Sequence, residues 1–249
     1  ILVRPPERGF TNGGQIIMKQ IIAIGGGGFG REIKDLKIEK YIVNQSDNDS
    51  PSICFIPTAT GDDQGYIDNF YKAFDSLNCK TSHIDFFKRT IKLDKHISNQ
   101  DIVFVGGGNT KSMLAVWREW GLDSILKSAY DNGVIMSGVS AGAICWFDKG
   151  ITDSWKDHQA ILPCLGFVDG ICCPHYDEEP ERIPFVKKVL EEAVIDNCFA
   201  IDGFCALHMI DDIAKFVVSF GDNTDSYDVS CKENKIIHNQ ISKTEKITL

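Results

Sequence analysis

The stretch Val134-Ile135-Met136-Ser137-Gly138-Val139-Ser140-Ala141-Gly142-Ala143-Ile144 decides the reading of this chain. An apolar run suited to a buried strand ends in Gly-Val-Ser-Ala-Gly and passes at once into small, helix-compatible residues. This is the G-x-S-x-G spacing of a nucleophile elbow. The strand-to-helix turn there is so tight that a side chain at either flanking glycine would strike neighbouring backbone. It lifts the serine hydroxyl above the sheet edge and sets it at a helix N-terminus, where free N–H groups and the dipole favour a developing negative charge. Ser140 is expected to be a nucleophile, not a turn serine.

Around this stretch, apolar strands alternate with segments of helical spacing. The clearest strands are Lys19 to Ile24, Ile53 to Ile56 and Ile102 to Val105; Tyr66, Phe70, Phe74 and Leu77 mark one of the helices. Continuous apolar strands of this kind predict an α/β fold with a mainly parallel sheet and helices on both faces. Glycine-rich turns follow three of the strands at their carboxyl ends, the edge where open α/β sheets build their sites. Residues 1–17 lack periodicity and precede Met18, so they read as a tail or extension, and 18–249 as a single domain.

The 249 residues suffice for a buried core, and 43% apolar with 24% charged residues is ordinary globular composition. A formal net charge of −9 argues against nucleic acid or an anionic membrane as a partner. No apolar run approaches the roughly 18 residues of a transmembrane helix, and no signal-peptide pattern is visible. Nine scattered cysteines, several inside apolar runs, read as reduced thiols in a cytoplasmic protein, and none forms a metal-ligand pattern. No cofactor is expected, and a homodimer is left open.

One motif competes with the elbow. Gly25, Gly27 and Gly30 satisfy G-x-G-x-x-G after a strand and before a helical segment read from Arg31 to about Lys40. A dinucleotide site also needs an acid at the end of the next strand, which instead ends Ile56-Pro57-Thr58. A tight glycine turn beside the site is the expectation, with a non-catalytic nucleotide- or metabolite-binding protein as the alternative. A serine nucleophile needs a base. Of six histidines, His175 follows an apolar strand at its carboxyl end and can share the edge that carries Ser140. His208 sits inside a strand pattern, where a structural role is expected. Asp177, Glu178 and Glu179 read as a solvated acidic face.

Val105-Gly106-Gly107-Gly108-Asn109-Thr110, Gly138 to Ala143 and Cys173-Pro174-His175-Tyr176 together resemble the peptidase E (aspartyl dipeptidase) family, with cyanophycinases as more distant relatives. The similarity runs from about Met18 to Ile210. It implies a fold like class I glutamine amidotransferase domains and a serine peptidase acting on short peptides, dipeptides or tripeptides, with Asp-Xaa as one substrate class. By the resemblance Ser140 is the nucleophile, His175 the base, and Gly107, Gly108 and Ala141 the oxyanion hole. The acid is open. The family's acid after the nucleophile corresponds to Asp153, while its Glu in a later turn aligns with Gly203, beside Asp202. An acid-free dyad is the third option. Arg182 and Asn109 are placed at the substrate, although the acids around Arg182 weaken its attraction for an acidic peptide. Another serine acyl hydrolase, acting on esters or non-peptide amides, is the second alternative.

Overall fold

The structure is a computed structural model that describes residues 10–11, 14–15, 17–31, 35–88, 92–155, 157–233, 235–241 and 244–249. The predicted segment 1–17 lies largely outside these residues; within it Phe10–Thr11 pairs with Gly14–Gln15.

The chain builds two sheets. The larger has eight strands in the spatial order Glu245–Thr248, Ile213–Ser219, Cys205–Ile210, Gln20–Ile24, Ile135–Val139, Ile102–Val105, Ser52–Ile56, Lys80–His83. The last five run parallel, and Cys205–Ile210 joins Gln20–Ile24 antiparallel. The α/β class expected from the apolar runs is what forms. Gln20–Ile24 and Ile135–Val139 are buried at every position, as strands covered on both faces must be.

On one face Ile38, Tyr41 and Ile42 from Lys37–Val43, with Ile67, Phe70 and Phe74 from Gln64–Asp75, cover the sheet. On the other, Met113, Leu114 and Trp117 from Thr110–Trp120 pack with Leu122 and Leu126 from Leu122–Asp131. His208 is fully buried, and burial lowers its pKa to about 3. Its Nε2 lies 3.0 Å from Gln20 Oε1, and its Nδ1 lies 2.8 Å from the Tyr41 hydroxyl. It is a satisfied core histidine.

The smaller sheet has six strands, in the order Lys235–Gln240, Ser226–Lys232, Asn197–Ile201, Val168–Cys173, Phe147–Thr152, Ala160–Pro163. The segment after the elbow contains the strands Phe147–Thr152 and Ala160–Pro163. Phe147, Val168 and Cys172 join the core on the side of the Thr110–Trp120 helix. After the glycine turn that follows Ile24, Arg31 stands in a turn, and the helix among the described residues spans Lys37–Val43 instead of running from Arg31 to about Lys40.

Candidate active site

The elbow forms as its spacing demands. Ile135–Val139 ends at Ser140, and the short helix Ala141–Ile144 starts directly after it. A Cβ on Gly142 would lie 2.1 Å from the Val105 carbonyl oxygen, and one on Gly138 would lie 2.3 Å from the Gly142 carbonyl oxygen. Neither glycine can carry a side chain without moving backbone. Ser140 itself adopts φ 58°, ψ −111°. Its N–H donates to the Ile24 carbonyl at 3.0 Å, which ties the strained residue to the adjacent strand. Strain of this kind costs about 1–3 kcal/mol per residue and gathers at functional sites.

His175 lies just beyond Val168–Cys173 of the smaller sheet, at φ 51° and only 6% exposed. Its N–H donates to the Gly25 carbonyl at 3.2 Å, which brings the smaller sheet's loop to the carboxyl edge of the larger. Gly26 leaves room for the ring, since a Cβ there would be 2.8 Å from His175 Nδ1. The Gly25–Gly30 turn therefore shapes the histidine side of the site, as expected of a glycine turn beside it.

The acid at His175 is neither Asp202 nor Asp153. Glu178 Oε2 lies 2.7 Å from His175 Nδ1. A carboxylate can only accept, so Nδ1 carries the proton and Nε2 is left as the acceptor. Glu178 Oε1 takes Nη1 of Arg31 at 2.5 Å, and Arg31 Nη2 lies 3.2 Å from Nδ1. Burial alone would raise the Glu178 pKa, but the bonds from Arg31 and His175 outweigh it and hold the carboxyl below its usual range. Gly203 makes room for this carboxylate: a Cβ there would fall 2.2 Å from the Glu178 carboxyl carbon. The position that the resemblance aligns with a glutamate is thus filled by a glutamate reaching in from elsewhere in the chain. The acidic face at 177–179 is engaged throughout, with Asp177 accepting from Gly203 N–H at 2.7 Å and Glu179 pairing with Arg182.

Asp202 is buried, and its Oδ2 accepts from Asp225 N–H at 3.0 Å. Burial, with the Asp177 and Asp225 carboxylates adding to it, raises its pKa to about 6. That value lies above the roughly 3.9 of an unfolded aspartate, so the native state holds this proton more tightly. The resulting stability is present below about pH 4 and is lost as pH rises to about 6. Asp202→Asn is expected to remove this loss and to unfold at higher denaturant than the parent at pH 7, by about 2 kcal/mol. Denaturant titrations of both proteins at pH 4 and pH 7 check this. Asp153 is exposed after Phe147–Thr152.

The two residues assigned to substrate also serve elsewhere. Asn109 caps the Thr110–Trp120 helix: its side chain accepts from Ser112 N–H at 2.8 Å and donates to the Ser154 carbonyl at 2.6 Å. Arg182 is 4% exposed, pairs with Glu179 at 2.7 Å and donates to the Ile151 carbonyl at 2.6 Å. Neither lines the cavity that holds the site. Ser140, His175, Gly107 and Gly108 do, together with Arg31, Tyr66, Thr60, Asp63 and Asn69, around about 670 Å³. Gly108 has φ +134°, and a Cβ on it would lie 2.3 Å from the Ala59 carbonyl oxygen. The N–H groups of Gly108 and Ala141 enter none of the hydrogen bonds among the described residues, whereas Gly107 N–H donates to the Tyr66 hydroxyl at 3.4 Å. No cluster of metal-ligating side chains occurs among the described residues, and the nine cysteines are free. No helix among those residues is long and apolar enough to cross a membrane.

The α/β sheet thus carries a strained serine that lines one cavity with a carboxylate-held histidine, an arrangement of the serine-hydrolase kind. Comparison with known proteins gives the family. The profile of Peptidase family S51 matches residues 21–217, and the chain belongs to that family; it is a peptidase. It is 46% identical over 220 residues to the uncharacterized peptidase YgaJ of Bacillus subtilis (strain 168), covering 88% of this chain and 95% of that one. It is 26% identical over 172 residues to the uncharacterized peptidase Lmo0363 of Listeria monocytogenes serovar 1/2a (strain ATCC BAA-679 / EGD-e), covering 66% and 84%. Its fold is similar to that of a peptidase from an acI-B1 Actinobacterium, with TM-score 0.62, 16% identity and coverage of 90% and 96%. It is also similar to a Listeria monocytogenes EGD-e protein provisionally assigned to peptidase E, with TM-score 0.59, 19% identity and coverage of 86% and 100%.

Proposed function

We propose that this peptidase is a cytoplasmic serine peptidase of short peptides that uses Ser140, His175 and Glu178. The observation that carries this reading is the 2.7 Å contact of Glu178 with His175 Nδ1, on a histidine that shares a cavity with the elbow serine. Nε2 then takes the Ser140 proton as Oγ attacks the scissile carbonyl. The anionic oxygen is met by the N–H groups of Gly108 and Ala141, donors worth about 3–4 kcal/mol each when lost in a comparable hydrolase. His175 returns the proton to the leaving amine, and a water activated by the same nitrogen releases the acyl group. Arg31 keeps Glu178 ionised and fixed, so it acts as a positioning residue.

The cavity's charges bear on the substrate. Arg31 is neutralised by Glu178, and Asp63 adds a negative charge to the same cavity. An acidic P1 side chain therefore gains little here, which favours neutral short peptides over a strict Asp-Xaa preference. Hydrolysis of a dipeptide and tripeptide library by the purified protein tests this. The expected result is Ser140-dependent cleavage of neutral peptides at least as fast as Asp-Xaa. Cleavage confined to Asp-Xaa would refute the substrate reading, and cleavage of esters alone would favour the acyl-hydrolase alternative.

A further inference from the structure

Tyr66 enters neither the motifs nor the triad, yet the fold makes unusual room for it. Its ring passes between two glycine turns, where a Cβ on Gly30 or Gly106 would lie 2.7 or 2.8 Å from ring carbons. Phe29 and Phe55 fix it from the core side, with ring centroids 5.2 and 5.0 Å away. The hydroxyl is thus carried on a rigid stem by a residue that lines the cavity. There it accepts the Gly107 N–H at 3.4 Å. Gly107 in turn abuts the nucleophile, since a Cβ on it would lie 3.2 Å from Ser140 Cβ.

A phenol that accepts one hydrogen bond still has its own hydrogen to give. Among the described residues no acceptor takes it, and Tyr66 and its partner Gly107 both line the cavity that Ser140 and His175 share. Burial raises its pKa to about 12, so the hydrogen is present at neutral pH. Accepting from Gly107 also polarises the O–H and makes it a better donor. The Gly107 N–H assigned to the oxyanion hole is meanwhile occupied.

We propose that the Tyr66 hydroxyl is the third donor of the oxyanion hole, taking the place of the Gly107 N–H and passing its polarisation on to the anionic oxygen of the acyl intermediate. This rests on Ser140 being the nucleophile. No bond to Tyr66 forms or breaks: its hydrogen bond to the substrate oxygen strengthens as that oxygen gains charge, and the proton stays on the phenol.

Tyr66→Phe keeps the ring between its glycines and removes only the hydroxyl. On a peptide cleaved by the parent, kcat is expected to fall about 10- to 100-fold with KM within about threefold, because the bond matters only in the transition state. Phosphonylation of Ser140 by a fluorophosphonate, whose oxygen enters the same hole, should slow by a similar factor, with the melting transition unchanged. Unchanged kcat and phosphonylation rate, or a loss confined to KM, would overturn the proposal. The two failures are distinct. Peptide hydrolysis that survives Ser140→Ala defeats the serine mechanism, whereas Ser140-dependent hydrolysis that survives Tyr66→Phe defeats only the third donor.

Discussion

Ser140→Ala is expected to lower kcat for the parent's best short peptide by roughly 10⁴- to 10⁶-fold, the loss seen when a nucleophile is taken from a serine–histidine unit. The variant should fold. Alanine has the size of serine without its hydroxyl, and the positive φ of the elbow is no harder for it. The backbone tie from residue 140 to the Ile24 carbonyl remains available. Substrate affinity should survive, because cavity groups such as Thr60, Asp63 and Asn69 are untouched. Progress curves at saturating peptide, with isothermal titration of the same peptide into the variant, check both halves. Residual hydrolysis within tenfold of the parent would mean that another group attacks the carbonyl.

The second large effect is expected at Glu178. Glu178→Gln replaces a pure acceptor with an amide that can present N–H₂ to Nδ1 and so stabilise the wrong tautomer, with the proton on Nε2 facing Ser140. An equivalent exchange in a serine triad costs about 10⁴-fold in kcat. The same change leaves Arg31 without its carboxylate partner, which adds to the disorder around the ring. Asp202→Asn, by contrast, should leave kcat within about twofold, because Asp202 is spent on Asp225 N–H and not on the imidazole. The pair of variants measured side by side assigns the acid. A loss at residue 202 with none at 178 would reverse the assignment.

Ser140 and His175 could be singled out in the sequence because their positions follow from local rules. The elbow needs Gly138 and Gly142 for steric reasons that the Val105 and Gly142 carbonyls now make explicit, and His175 stands at the carboxyl end of an apolar strand. Glu178 was not legible. A run such as Asp177-Glu178-Glu179-Pro180-Glu181 has the look of a solvated surface, and only the positive φ of His175 and the bare Cα of Gly203 turn one of its carboxylates back onto the ring. The His-x-x-Glu spacing was the signal available, since residues three apart in a turn can meet.

Asn109 and Arg182 show the converse error. A cap and a buried ion pair carry the same polar residues as a substrate site, and only their partners tell them apart. The larger sheet could be read from its continuous apolar strands. In the smaller one Val168–Cys173 was legible, but Phe147–Thr152 and Ser226–Lys232 escaped because they interleave buried with exposed or half-buried residues and so lack that signature.

The most direct test of the serine mechanism is the position of a covalent mark. Intact protein treated with a small fluorophosphonate and digested should carry the adduct on Ser140, and the mark should be absent from Ser140→Ala and nearly absent from His175→Ala. An adduct on another residue, or peptide hydrolysis at the parent's rate by a protein fully phosphonylated at Ser140, would contradict the account.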